Sequence, residues 1–86
     1  MAALPEVEAL ARGYVDVLHL WLTADEFAQI AEGPLVPGDF CDDNMAMDEA
    51  WQKLGGPEWD ASSQAQADRW NAAYARALEL LGSPAR

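Results

Sequence analysis

Val7, Leu10, Tyr14, Val17, Leu18, Trp21 and Leu22 recur at intervals of three and four residues. That is the period of an α-helix; a half-buried strand alternates apolar and polar positions, and no such alternation occurs anywhere in the chain. The spacing predicts a first helix over residues 5–22. Pro5 suits its first turn, where a missing N–H costs nothing, and Glu6 and Glu8 lie near the positive end of its dipole. His19 interrupts the stripe. With no second His or Cys three or four residues away, it reads as a packed, hydrogen-bonded histidine.

Punctuation divides the rest of the chain. Thr23 and Glu26 have the spacing of a capping box. Phe27 and Ile30, flanked by alanines, then form a short second helix ending at Gly33; one helix continuing through Glu32 is the alternative, since threonine alone does not break a helix. Pro34, Pro37 and Gly38 exclude regular structure from Gly33 to Gly38. A third helix starts near Asp39–Asp43 and ends at Leu54, before Gly55-Gly56-Pro57. Its Ala46, Met47, Ala50, Trp51 and Leu54 form one face, and Asp43, Asn44, Asp48, Glu49 and Gln52 the other. Asp60, Ser62 or Ser63 caps a fourth helix, whose Ala67, Trp70, Tyr74, Ala77, Leu78 and Leu81 share a face and which Gly82 and Pro84 end. The expected fold is all-α, a small bundle of three to four helices forming a single acidic domain over residues 1–86.

Four tryptophans among 86 residues supply a large apolar payload for one core. Trp21, Trp51 and Trp70 fall on predicted core faces. Trp59 lies in the Pro/Gly/acidic linker, where it either locks the linker onto the bundle or stays partly exposed as a contact anchor.

Charge restricts the partners. Fifteen acidic residues against five basic ones give a formal net charge of −10. Between Arg12 and Lys53 stand Asp16, Asp25, Glu26, Glu32, Asp39, Asp42, Asp43, Asp48 and Glu49, with no Lys or Arg among them. Such a chain repels nucleic-acid phosphates and anionic membranes, so direct binding to either is not expected and the natural complement is a basic protein surface. The N-terminus lacks the basic and apolar regions of a secretory signal, and no apolar run approaches a membrane span; a cytoplasmic location is expected.

Candidate chemistry is thin. Asp39-Phe40-Cys41-Asp42-Asp43-Asn44 fails as a calcium loop: starting at Asp39, Cys41, Asn44 and Ala50 occupy positions that need an oxygen ligand, a glycine and a glutamate. Cys41 is the single cysteine, so it forms no internal disulfide and cannot supply a thiol zinc site. Its acidic neighbours oppose thiolate formation, and a half-buried structural role is expected. Asp48 and Glu49 project about 100° apart on a helix and make no acid–base pair. The reading is therefore a non-enzyme with no catalytic residues, metal or cofactor.

The stretch Asp39-Phe40-Cys41-Asp42-Asp43-Asn44-Met45-Ala46-Met47-Asp48-Glu49-Ala50 resembles a CDxNMxM segment of small bacteriophage and mobile-element proteins, and Trp70-Asn71-Ala72-Ala73-Tyr74 is similar to a C-terminal helix of such proteins. Together they cover about a fifth of the chain, and neither motif carries a chemistry. The resemblance implies a phage-type protein acting in a bacterial host cell. By analogy with anti-CRISPR proteins, the expected function is to bind and inhibit a nucleic-acid-processing complex, such as a CRISPR-Cas effector, by occupying its basic surface. Asp39, Phe40, Asp42, Asp43, Asp48, Glu49 and Trp59 are the candidate contact residues. Charge reversal at Asp42, Asp43, Asp48 and Glu49 is then expected to abolish binding and leave helicity intact. The alternative is a self-associating accessory module, a homodimer through Val15, Leu18 and Leu22 on the first helix.

Overall fold

The computed structural model describes residues 4–82. Among them the chain is all-α, with helices α1 (Val7–Trp21), α2 (Ala24–Ala31), α3 (Asp43–Lys53) and α4 (Gln64–Leu80) and a single 3₁₀ turn at Pro37–Asp39. Helix α1 begins two residues later than the sequence predicts. Glu6 is extended, with ψ 152°, and Pro5 is buried rather than opening the first turn. Helices α1 and α2 are separate. Leu22 turns to extended backbone, and the capping box closes across the break: the Glu26 N–H donates to Thr23 Oγ1 and the Thr23 N–H to Glu26 Oε1.

That break explains one correction. Leu22, leaving the helix, drops into the core, and Trp21, expected there, is left 39% exposed at the rim. His19 is likewise exposed rather than buried; its ring stacks on Phe27 with centroids 4.3 Å apart. Leu54, expected on the core face of α3, is the helix's C-terminal cap and stays exposed.

Helix α1 is the centre of the bundle. Leu10, Tyr14, Val17 and Leu18 are buried along it, and α3 and α4 both pack on it while their backbones scarcely meet each other. Helix α3 passes α1 at Gly13, where an added Cβ would make an ordinary van der Waals contact, 3.5 Å from that of Ala50. Asp42 caps α3 by accepting from the Asn44 and Met45 N–H groups, and among the three candidates Ser63 caps α4. Pro84, expected to end α4 together with Gly82, lies outside the described residues; Gly82 itself has the positive φ of a helix stop.

Because α3 and α4 lean on α1 without closing on each other, a groove runs between them. The loop from Leu54 to Ser63 crosses one end of it.

Candidate partner-binding groove

One end of the groove is tied shut by a carboxylate. The Tyr14 hydroxyl of α1 donates to Asp43 Oδ1 at 2.7 Å, and the Tyr74 hydroxyl of α4 donates to Asp43 Oδ2 at 2.9 Å. Asp43 thus joins three helices. Burial and the adjacent Asp43 carboxylate together push the Tyr14 phenol far above its ordinary pKa, so it stays a donor. This corrects the placement of Asp43 on the outer face of α3. Counting from it, Met47 at i+4 and Ala50 at i+7 are buried, which puts Asp43 on the core-facing side.

The other end is aromatic. Trp51 is buried, and its Nε1–H donates to the Pro57 carbonyl at 2.7 Å. Gly56 makes that possible, because a Cβ there would lie 2.7 Å from the same nitrogen. The loop carries Trp59 back over Trp51 and Trp70, with ring centroids 5.5 and 4.8 Å away. Gln66, the one buried polar side chain among the described residues, holds it there: Oε1 accepts from the Asp60 N–H and Nε2 donates to the Glu58 carbonyl. Trp59 is therefore packed edge-on against Trp51 and still 41% exposed. Of the two roles open to it in the sequence, the geometry combines both.

Between these ends lie two adjoining clefts. One, of about 400 Å³, is lined by Asn44, Asp48, Trp59 and Trp70. The second, of about 310 Å³, is lined by Asp43, Asn44, Trp70, Asn71 and Tyr74. They share Asn44 and Trp70. Asp48 Oδ2 accepts from Gln52 Nε2 at 2.7 Å, and among the described residues Oδ1 has no partner. No Lys or Arg lines either cleft.

The structure places the seven candidate contact residues in different settings. Only Asp48 and Trp59 meet in the same cleft. Asp39 Oδ2 accepts from the Val36 N–H and Asp42 Oδ1 from the Asn44 and Met45 N–H groups, and both residues are exposed outside the two clefts' linings. Asp43 is engaged by the tyrosines. Phe40 is half-buried and packs on the core. Glu49 is half-buried about 100° around the helix from Asp48, and its Oε2 is enclosed without a hydrogen-bond partner. Asn44 and Trp70 complete the lining and Gln66 holds the loop beside it; none of the three was singled out from the sequence for it. The i, i+4 spacing of Asn44 and Asp48 was the available signal.

Cys41 is half-buried as expected, and burial first, then Asp43, Asp42 and Glu26, raise its thiol pKa. Among the described residues no three metal-ligating side chains converge, and no helix is long and apolar enough to cross a membrane. The dimer face proposed on α1 is also corrected: Leu18 and Leu22 are buried in the chain's own core. Comparison of the chain with protein-family models, with curated proteins and with solved structures finds no match to any of them.

Proposed function

We propose that this chain is a small acidic binding protein of the phage type, which occupies a basic nucleic-acid-binding surface of a host complex and thereby inhibits it, as anti-CRISPR proteins do. The observation that carries the reading is the groove: an open aromatic wall beside a carboxylate with a free oxygen, in a chain of net charge −10. Long-range attraction steers a basic surface onto the acidic one and accelerates encounter, while a rigid, part-exposed tryptophan supplies the short-range contact that slows dissociation. Inhibition then follows from occupancy, with no catalytic step or cofactor assigned to the chain.

The test is a pull-down with the tagged protein from bacterial lysate, challenged with added RNA, DNA and salt. The reading expects one nucleic-acid-processing complex that nucleic acid and salt both displace, and that has lost its activity while bound. A captured complex that remains fully active, or that nucleic acid does not displace, overturns it. The second reading, a self-associating accessory module, is favoured by Leu20 and Trp21, which lie exposed at the end of α1. Light scattering decides it: a monomer mass that holds as concentration rises removes the dimer.

A further inference from the structure

We propose that the groove between α3 and α4 receives an arginine side chain of the partner, its guanidinium laid against the indoles of Trp59 and Trp70 and donating to Asp48 and Asn44. The inference rests on the basic-surface reading above and names where, and by which chemistry, one side chain of that surface is held.

Three observations converge on it. The cleft of about 400 Å³ falls within the roughly 300–1,000 Å³ of small-molecule sites, large enough for a side-chain head group with its stem. Its walls are the two tryptophans, and a cation over an indole face is drawn by the ring quadrupole. Its polar lining is one carboxylate and one amide with no cation to compensate them, while Asp43 lies in the adjoining cleft with both oxygens already accepting. Negative potential is thus present in both compartments, but among the described residues both Asp43 oxygens are taken by tyrosines whereas only one Asp48 oxygen accepts from a protein group.

Arginine fits better than lysine for physical reasons. The guanidinium is planar and weakly hydrated, so it stacks on indole at low desolvation cost, and its several N–H groups reach two separate acceptors at once. An ammonium is compact and strongly hydrated, and offers no face to the ring. Trp59 is also held before any ligand arrives, because Gln66 fastens the loop on both sides of it. Less ordering remains to be done on binding.

The experiment uses acetylated, amidated hexa-arginine and hexa-lysine peptides with the full chain, read by calorimetry and by ¹H–¹⁵N NMR. Hexa-arginine is expected to shift the Trp59 and Trp70 indole N–H signals and the Asn44 and Asp48 amides, and to bind roughly tenfold tighter than hexa-lysine. Asp48→Asn and Trp59→Ala should each weaken hexa-arginine binding roughly fivefold or more, and Asp16→Asn on the exposed side of α1 by less than about twofold. Trp59→Phe keeps a ring in the loop and should fall between wild type and alanine, which guards against a folding defect in the alanine variant. Equal binding of the two peptides, with shifts spread over Asp16, Asp25 and Asp42, overturns the arginine site and leaves the basic-surface reading standing. Failure of both peptides to bind at low salt takes both readings down.

Discussion

Around helix α3 the chain sets two acid–tryptophan pairs that the fold treats in opposite ways. Asp43 and Trp51 face inward: both carboxylate oxygens accept from tyrosines, and the indole is buried with its N–H donated to a carbonyl. Asp48 and Trp59 face the groove, with one carboxylate oxygen making no hydrogen bond among the described residues and an indole two-fifths exposed. The first pair holds three helices together; the second is left available. Identical residue types in one acidic stretch are therefore not interchangeable, and a net charge of −10 says little about which carboxylates a partner can reach.

The sharpest way to break this contrast is to truncate each tryptophan. Trp51→Ala should cost about 3–5 kcal/mol, a large part of the stability of so small a domain, whereas Trp59→Ala should cost clearly less in the same urea titration. Equal losses would dissolve the distinction between the pairs. The acids come next. Asp43→Ala strips two part-buried hydroxyls of a charged acceptor and should cost roughly 2–3 kcal/mol, while Asp48→Asn should stay within about 0.5 kcal/mol. Charge reversal at Asp43 is accordingly expected to unfold the chain, which corrects its use as a harmless surface probe; Asp48 is the residue to reverse. Asp42→Ala, which removes the cap of α3, should fall between them at about 1 kcal/mol.

Titration sharpens the same comparison. The folded pKa of Tyr14 is raised above its unfolded value of about 10. Its hydrogen bond to Asp43 is therefore fully present below pH 10, and the stability it contributes is lost progressively as pH climbs above that point. Urea midpoints measured from about pH 8 to pH 11 should fall, and Tyr14→Phe should flatten the decline. The smallest effect belongs to Glu8. The Arg76 guanidinium, followed by Arg12, holds its carboxyl below the ordinary range, so this contribution is present above the unfolded pKa and lost as pH falls through the folded one. All three side chains are substantially exposed, so Glu8→Gln should shift the melting temperature less than any variant above, and the difference should vanish in high salt.

Much of the fold was legible because it depends on local patterns. The three- and four-residue spacing of Val7 to Leu18, the Thr23–Glu26 box and the Gly/Pro stop after Leu54 act over a turn or two of chain, and the helices lie where those signals put them, within two residues of the expected starts. The site was legible only in part. Asp48 and Trp59 were named as contacts, but their meeting depends on Gln66, which fastens a loop from six and eight residues away, and on Trp70 in another helix. Side-chain types carry no signal for contacts of that kind.

Periodicity, capping and punctuation, all short-range properties of the chain, determined the helical class and the order of the helices, and composition alone determined the charge. Tertiary structure decided which carboxylates are consumed within the fold, that Trp21 is at the rim while Leu22 is inside, and that α3 and α4 leave a groove between them. These outcomes turn on how α3 and α4 lean on α1, and on two tyrosines that reach Asp43 across about 30 residues of intervening chain. Packing between distant segments sets them, and the pattern within any one segment does not contain it.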